Sequence, residues 1–235
     1  CHKWPDGLPM AYFQAYSNTY APLPILKQVY GPFISSPKVA GLAIATRCDC
    51  LDEEKIAWLA SAAAVKPIWL ELGLQSIHDR TLSQMNRGHD AAAFSAMVGQ
   101  LAGRGLAICV HIIDGWPTET DEMMLDTARA VGAMPVQAIK IHMLQLLKGT
   151  RLAAEYQCQP FALLSQDEYI DIVIRQLELL PPTMAIGRLT GDAMSQQLLA
   201  PDWTRRKRAV LDDIDRKMAR YGSWQGKAIT SRRPL

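Results

Sequence analysis

Short apolar runs alternate with amphipathic stretches along most of the chain. Runs rich in β-forming residues predict five strands, over residues 11–16, 39–46, 67–74, 106–113 and 136–144. They begin roughly every 30 residues, which is the length of a strand–helix unit. The runs are apolar on both faces, so the strands are expected to be buried and parallel. Right-handed crossovers between them give a doubly wound sheet or a barrel.

Helical spacing of apolar residues fills the intervals between these runs. Ile56, Leu59, Ala60 and Ala63 share one helix face, as do Phe94, Met97, Val98 and Leu101. Thr118 is the predicted cap of a helix that runs to about Val131, and residues 165–168 form a capping box before another helix. The pattern weakens beyond Pro181 and Pro182. We therefore predict a barrel segment over 1–164 and a small helical and basic C-terminal extension over 165–235.

Composition narrows the class of protein. The chain has 235 residues, of which 49% are apolar and 20% charged, and this suits a soluble globular protein with a core. No apolar run approaches the roughly 20 residues that a spanning helix needs, so no membrane association is expected. Five cysteines are an odd number in a chain of this size and favour a reducing, cytoplasmic setting over a disulfide framework.

Positive charge is concentrated near the C-terminus. The stretch from Pro201 to Leu235 holds ten Lys and Arg against four Asp, whereas the whole chain carries a net charge of only +2. Such a segment is typical of a surface that contacts an anion or nucleic acid. A solvated basic helix explains the same pattern equally well.

Polar side chains near the predicted strand ends are the candidates for chemistry, because ligands of parallel α/β folds collect at the carboxyl ends of the strands. Glu71 and Gln75 share one face of an apolar strand and need a partner if they are buried. Arg87 and His89 follow in a turn, where an Arg suits a carboxylate or phosphate. Arg87 could instead pair with Asp79 or Asp90. His111, in an apolar strand, is either a satisfied core residue or a ligand, and Lys140 and His142 on the next strand raise the same question.

Common motifs for nucleotide, metal or nucleophile sites are absent from the sequence. We find no GxGxxG, GxxxxGK[ST], HExxH or GxSxG pattern. Cys48 and Cys50 are too closely spaced for a zinc knuckle and lack a second pair, so they are interpreted as structural.

Eight strings occur in an order that resembles one family. They are 12–22 (YFQAYSNTYAP), 46–47 with 49–50 (TR, DC), 71–76 (ELGLQS), 86–89 (NRGH), 115–117 (GWP), 148–150 (KGT), 199–201 (LAP) and 224–226 (WQG). Together they resemble the radical S-adenosylmethionine (SAM) proteins of the YhcC/YtqA type. That group is similar in turn to the radical SAM part of the elongator acetyltransferase subunit and to oxygen-independent coproporphyrinogen oxidase.

The resemblance implies a partial (β/α)6 TIM-like barrel that holds a [4Fe-4S] cluster and SAM. Three cysteines would bind three irons of the cluster. The amino and carboxylate groups of SAM would bind the fourth iron, which has no protein ligand. Reductive cleavage of SAM then gives a 5′-deoxyadenosyl radical that abstracts a substrate hydrogen, with electrons from a donor such as flavodoxin or ferredoxin. The protein positions SAM and tunes the cluster.

Cofactor-binding residues follow from the resemblance by position. Gln75 would bind the SAM hydroxyls, Arg87 would pair with the SAM carboxylate, and His111 occupies a further SAM-contacting position. The post-strand turn that holds the SAM amino group would be formed by Tyr16, Ser17 and Asn18. Arg47 and Glu71 are further candidates for the cavity.

Two features depart from the family pattern. Five strands are predicted where the family has six, so the first strand is expected to be missing, together with the cluster-binding cysteine motif that follows it. Cys1 would be a metal ligand only if it is the last cysteine of that motif, and the chain as it stands is expected to be inactive. Trp116 replaces the usual Leu of a Gly-Leu-Pro string, so an indole is expected to crowd the nearby cavity.

Three functional hypotheses result. The first is a radical SAM enzyme that modifies a tRNA base, with Arg205, Arg206, Lys207 and Arg208 as phosphate contacts. The second is a catalytically dead barrel that binds RNA or a protein partner, which the missing cysteines favour and the retained Glu71, Gln75 and Arg87 oppose. The third, an unrelated barrel enzyme with a phosphate or metal site, lacks suitably spaced metal ligands.

Overall fold

A computed structural model describes residues 7–191 and 196–230 of the chain. Strands are labelled in chain order as β1 (Met10–Phe13), β2 (Gly41–Thr46), β3 (Ile68–Gln75), β4 (Ala107–Asp114), β5 (Ala138–Met143), β6 (Leu146–Leu147), β7 (Ala185–Arg188) and β8 (Leu198–Ala200). Six of them form one sheet in the order β1-β2-β3-β4-β5-β7, and β6 and β8 form a separate antiparallel pair. The β1–β2, β2–β3 and β5–β7 pairings are parallel.

Helices lie between the strands along the chain, and two more follow the last strand. They are α1 (Leu23–Ser35), α2 (Glu53–Ala63), α3 (Asp79–Gln84), α4 (Ala91–Leu101), α5 (Asp121–Gly132), α6 (Arg151–Cys158), α7 (Gln166–Leu179), α8 (Lys207–Tyr221) and α9 (Lys227–Thr230). Single turns of 3-10 helix occur at Cys48–Cys50 and Asp202–Arg205. No helix in the described ranges is both long and apolar enough to cross a membrane.

All five predicted strands are present, and a sixth joins them from an unexpected place. Strand β7 pairs in parallel with β5 and comes from 185–188, a segment that the sequence pattern assigned to the helical extension. Its four residues alternate between exposed and half-buried positions, so they lack the continuous apolar run that marks β2 to β5. The prediction of five strands therefore missed one that only its neighbour β5 defines.

Helix starts follow capping chemistry. Asp52, Asp90 and Ser165 each accept a backbone hydrogen bond at the start of a helix, and the capping box at Ser165 is confirmed. The prediction that Thr118 caps α5 was wrong by two residues. Thr120 is the cap, since its hydroxyl accepts from the amide of Met123, whereas the hydroxyl of Thr118 donates to a side chain of α3.

Two compact units can be distinguished. Within the described residues, the first comprises 7–74, 87–110 and 134–137, and the second comprises 75–86, 111–133, 138–191 and 196–230. Within the described part of the first unit, the core is built from fully buried residues of β2 and β3 such as Leu42, Ile44 and Leu70. In the second, Ile139 and Ile141 of β5 and Val173 of α7 are fully buried. Burial of these aliphatic side chains is the main stabilising contribution.

Candidate functional site

In the first unit, an ion pair lies at the carboxyl end of β2. Arg47 follows the strand and donates from Nε to Oδ1 of Asp49 across 2.8 Å, and a second contact joins Nη2 to Oδ2. This fork-like pairing lowers the pKa of the Asp49 carboxyl. Asp49 was not among the predicted site residues, although it belongs to one of the strings that carry the family resemblance.

Gly88 packs directly on this pair. A Cβ on Gly88 would lie 2.7 Å from Nη2 of Arg47 and 2.8 Å from Oδ2 of Asp49. Only glycine fits so close an approach without displacing the pair. The Arg47–Asp49 pair and the turn over 86–89 are therefore in direct contact.

Arg87 carries a partly buried guanidinium next to this pair. Its Nη2 donates to the carbonyl oxygen of Gly73 across 2.6 Å, and its buried Nε has no hydrogen-bond partner among residues 7–191 and 196–230. Burial, followed by the charge of Arg47, lowers its pKa. The described part of the chain shows no ion pair between Arg87 and Asp90. The alternative that Arg87 pairs with Asp79 stays a prediction.

Glu71 on β3 is 7% exposed and accepts a hydrogen bond from the hydroxyl of Tyr12 across 2.7 Å. In the turn after β1, one of the predicted SAM ligands is engaged by the main chain. The side-chain amide of Asn18 donates to the carbonyl oxygens of Phe13 and Ala45, both at 2.9 Å, so it secures the turn. Tyr16 is 98% exposed with φ of 61°. Ser17 is half-buried in the same turn.

In the second unit, Gln75 ends β3 in the left-handed region, with φ of 76° and a half-buried side chain. Glutamine rarely adopts this conformation, and such strain concentrates at functional sites. The next residue, Ser76, donates to Oε1 of Glu119 across 2.5 Å and accepts from the amide of His78 at 3.0 Å. These contacts tie the segment that follows Gln75 to the start of α5.

Trp116, after β4, is held by its ring nitrogen. Nε1 donates to Oε1 of Gln84 across 2.8 Å, and the hydroxyl of Thr118 donates to the same oxygen across 2.7 Å. Two donors on one acceptor fix the plane of the indole against α3. The indole is therefore anchored within the second unit, and the expectation that it crowds a cavity stays a prediction.

His111 on β4 stacks on His142 of β5, with ring centroids 5.3 Å apart and an interplanar angle of 29°. Both rings are half-buried. Asp114, at the end of β4, is fully buried and accepts from Nε2 of Gln176 across 2.8 Å. The His111–His142 contact and the Asp114–Gln176 contact are separate. The role of His111 as a ligand stays a prediction.

The predicted phosphate contacts have several partners within the chain. Nη2 of Arg205 donates to the carbonyl oxygen of Leu198 across 3.0 Å, and its Nε pairs with Asp202 at 3.3 Å. Nη2 of Arg206 lies 3.5 Å from Oε1 of Gln166. Lys207 and Arg208 begin α8, whose first turn has no acidic residue. These two cations oppose the positive end of the helix dipole, so an anion here would offset the repulsion.

The described cysteines do not form a cluster site. Cys48, Cys50 and Cys109 are buried, Cys158 is exposed, and none of these four forms a disulfide. Burial raises the pKa of Cys48 to about 11. Across residues 7–191 and 196–230 no group of three His, Cys, Asp or Glu is arranged to hold a metal ion. Cys1, the predicted cluster ligand, lies outside the described residues.

The predicted cofactor residues fall into both units. Arg47, Glu71, Arg87 and residues 16–18 belong to the first, whereas Gln75 and His111 belong to the second. Within the first unit the structure brings Arg47 to the turn that carries Arg87. Sequence reasoning missed Asp49 and Tyr12, whose roles depend on contacts that local sequence does not reveal.

Family models and curated relatives agree on the affiliation of the chain. Residues 14–131 match the radical SAM superfamily model, and residues 136–220 match the radical SAM C-terminal domain. YtqA of Bacillus subtilis is 42% identical over 96% of this chain and 70% of its own length. YhcC of Escherichia coli is 32% identical over 94% of this chain and 71% of its own length. The resemblance to the YhcC/YtqA type is confirmed.

More distant relatives extend the likeness. A tRNA uridine(34) acetyltransferase of Methanocaldococcus infernus is 24% identical over 66% of this chain and 29% of its own length. The solved structure of M. infernus Elp3 aligns with a TM-score of 0.71 and 19% identity, over 85% of this chain and 46% of that one. This structural likeness confirms the predicted α/β fold of parallel strands of the partial-barrel type. The chain belongs to the radical SAM superfamily.

Proposed function

We propose that this chain supplies the SAM-binding part of a radical SAM enzyme. The observation that carries the proposal is Arg87, a partly buried cation whose buried Nε has no partner in the part of the chain that the structure describes. An unpartnered buried donor on a charged group is costly unless a ligand satisfies it. The carboxylate of SAM has the charge and the two acceptor oxygens that such a guanidinium binds.

The neighbours of Arg87 support a preformed site. Gly73 holds one guanidinium nitrogen, and the Arg47–Asp49 pair packs under Gly88. Arg47 is thereby engaged by Asp49, so we assign it the role of positioning the turn that carries Arg87. Preorganisation of this kind lowers the entropy cost of binding.

The remaining candidates receive separate roles. Gln75 would hydrogen-bond the SAM hydroxyls, and its left-handed backbone sets the direction of its side chain. Glu71, held by Tyr12, and the turn at Tyr16, Ser17 and Asn18 would accept the SAM amino group. In that turn Asn18 secures the main chain, so the ligand contacts fall to the other two residues. His111 would face the bound cofactor.

Radical SAM proteins use SAM with a [4Fe-4S] cluster, which when reduced supplies the electron that splits SAM into methionine and a 5′-deoxyadenosyl radical. The described residues include no ligand set for such a cluster. We therefore assign no step through the cluster to them. The described residues fit the binding and orientation of SAM. The proposal also includes reduction of the cluster by a small donor protein such as flavodoxin or ferredoxin.

Calorimetric titration of the purified protein with SAM tests this function. Arg87→Ala and Gln75→Ala should each weaken SAM binding by about tenfold or more, since a hydrogen bond to a charged or buried group is worth about 1.5–3 kcal/mol. Arg80→Ala removes an exposed arginine from α3 and serves as the matched control. Unchanged SAM affinity in both site variants would refute the assignment.

A tRNA is the substrate class that we propose. The relative named as a tRNA uridine(34) acetyltransferase supports it, as do the basic residues Arg205, Arg206, Lys207 and Arg208 at the start of α8. The test replaces Arg206, Lys207 and Arg208 together by Gln. We expect the salt dependence of tRNA binding to flatten by about 2 to 3 in the log–log slope. The control variant replaces three exposed cations elsewhere by Gln, namely Lys27, Lys38 and Arg80.

Three outcomes separate the alternatives. Binding of tRNA by a protein that does not bind SAM would favour a non-catalytic RNA-binding barrel. If the two triple variants lose tRNA affinity equally, the start of α8 is not the contact surface. Absence of tRNA binding at low salt would remove the substrate proposal and leave the SAM proposal standing.

A further inference from the structure

Gln75, at the end of β3, has a backbone conformation that its residue type does not favour. Its φ of 76° lies in the left-handed region, where the Cβ of a residue other than glycine crowds the following carbonyl oxygen. Such a conformation costs free energy and persists where the surrounding contacts determine it. The contacts of the residues that follow Gln75 therefore determine the direction of its side chain.

Helix α5 holds the second and third residues after Gln75. The amide of Ile77 donates to the hydroxyl oxygen of Thr127 across 3.2 Å, and that hydroxyl donates in turn to the carbonyl oxygen of Met123 at 3.2 Å. Nε2 of His78 donates to the same carbonyl oxygen across 2.9 Å. The chain that leaves β3 is thus fixed to one turn of α5.

The first residue after Gln75 binds a carboxylate. Ser76 is fully buried, and its hydroxyl donates to Oε1 of Glu119 across 2.5 Å while accepting from the amide of His78 across 3.0 Å. A hydrogen bond to a carboxylate is roughly twice as strong as one between neutral groups. Among the contacts that fix residues 76–78, we therefore expect the Ser76–Glu119 contact to have the largest effect on the conformation of Gln75.

Glu119 is itself held in the turn between β4 and α5. Its amide donates to the carbonyl oxygen of Trp116 across 2.9 Å, and its side chain is half-buried. The next residue, Thr120, caps α5 by accepting from the amide of Met123. The carboxylate thus comes from a segment that hydrogen bonds hold on both sides, and this suits a group that positions another residue.

We propose that Glu119 is a positioning residue for SAM recognition. Through Ser76 it holds Gln75 in the left-handed conformation that directs the Gln75 amide to the SAM hydroxyls. The inference rests on the proposed function, which assigns those hydroxyls to Gln75. Glu119 does not contact SAM in this role, so its effect on affinity passes through Gln75. A side chain that is held in place before the ligand arrives loses less conformational freedom on binding.

Calorimetric titration with SAM measures this coupling in a double-mutant cycle. Glu119→Ala should weaken SAM binding by about fivefold, the effect of one ordinary hydrogen bond. Glu119→Gln keeps an oxygen that accepts from Ser76 and should retain most of the affinity. In the Gln75→Ala background, Glu119→Ala should cause no further loss, because the side chain that it positions is gone. Glu122→Ala removes an exposed acid from the first turn of α5 and, as the matched control, should leave the affinity unchanged.

The free protein allows a second measurement that needs no ligand. The Cα and Cβ chemical shifts of Gln75 respond to its backbone dihedral angles. They should change in Glu119→Ala and stay constant in Glu122→Ala. The midpoint of urea unfolding of each variant separates a change at Gln75 from a loss of folding.

Three results would overturn this inference and leave the proposed function intact. The first is an unchanged SAM affinity in Glu119→Ala. The second is a loss from Glu119→Ala that recurs in full in the Gln75→Ala background, as a purely structural role predicts. The third is an unchanged set of Gln75 shifts in Glu119→Ala. Wild-type protein that does not bind SAM, or Gln75→Ala that binds it normally, would instead overturn the proposed role of Gln75 and this inference with it.

Discussion

Gln176 of α7 donates from Nε2 to Oδ1 of Asp114 across 2.8 Å, and both side chains are fully buried. The same Nε2 donates to the carbonyl oxygen of Met124 at 3.1 Å. Burial raises the pKa of Asp114 to about 8, against the opposing effect of this hydrogen bond. At neutral pH the carboxyl is therefore largely protonated, and the end of β4 carries a neutral acid.

A pH dependence of stability follows from this shift. Because an unfolded Asp has a pKa of about 3.9, the native state holds a proton between about pH 4 and 8 that the unfolded chain has lost. The stabilisation is complete below pH 4 and is lost as the pH rises through 8. The free energy of unfolding should fall by up to about 1.4 kcal/mol per pH unit from this group. Urea denaturation between pH 5 and 8 measures this change in the free energy of unfolding.

Asp114→Asn is the informative variant for that slope. The amide keeps the shape and cannot ionise, so this contribution to the pH dependence should disappear. Asp212→Asn removes an exposed carboxylate and should leave the slope unchanged. The same slope in wild type and Asp114→Asn would show that the carboxyl does not hold the proton.

Gly88→Ala tests the contact between the Arg47–Asp49 pair and the turn that carries Arg87. The new Cβ would come within 2.7 Å of Nη2 of Arg47, so either the ion pair or the turn must move. We expect SAM affinity to fall by about tenfold or more. Titration calorimetry measures the effect.

The matched control for this variant is Gly99→Ala in α4, where an added Cβ has no neighbour within 4 Å. Alanine is favoured over glycine in a helix by about 0.8–1 kcal/mol. The control should therefore be slightly more stable and bind SAM normally. If both variants bind SAM alike, the ion pair does not position Arg87.

Local pattern was sufficient for most of the fold. Strands β2 to β5 were predictable because each is a nearly unbroken apolar run between turn residues. Strand β7 was not, since Gly187 and Arg188 occupy half of its four positions and its place depends on pairing with β5. Thr118 and Thr120 are equally good caps by composition. In the structure Gln84 engages Thr118, and Thr120 caps α5.

The candidate site was partly predictable for a related reason. Glu71 and Arg87 attract attention as polar residues in or beside apolar strands, and both are at least partly buried. The contact of Gly88 with the Arg47–Asp49 pair joins residues about 40 positions apart and leaves no trace in local sequence. Asn18 was predicted to be a ligand, whereas its amide is engaged by two carbonyl oxygens. Such pairings can be seen only in the folded structure.

The anchoring of Trp116 by Gln84 can be measured directly. Gln84→Ala removes the acceptor of both the indole and the Thr118 hydroxyl. A neutral hydrogen bond contributes about 1 kcal/mol, so the indole N–H of Trp116 should exchange with solvent about fivefold faster. Ser83→Ala, one residue away and exposed, is the control. Equal exchange in wild type and Gln84→Ala would mean that the indole is held by packing alone.

Thiol alkylation should distinguish the four described cysteines. Cys158 is exposed, whereas Cys48, Cys50 and Cys109 are buried and the pKa of Cys48 is raised to about 11. The thiolate is the nucleophile, so at pH 8 Cys48 has both little access and about one thiolate per thousand molecules. Iodoacetamide should label Cys158 first, as measured by mass spectrometry of peptides, and all four should react in urea. Labelling of Cys48 as fast as Cys158 in the native protein would show that its turn opens, and with it the support of the Arg47–Asp49 pair.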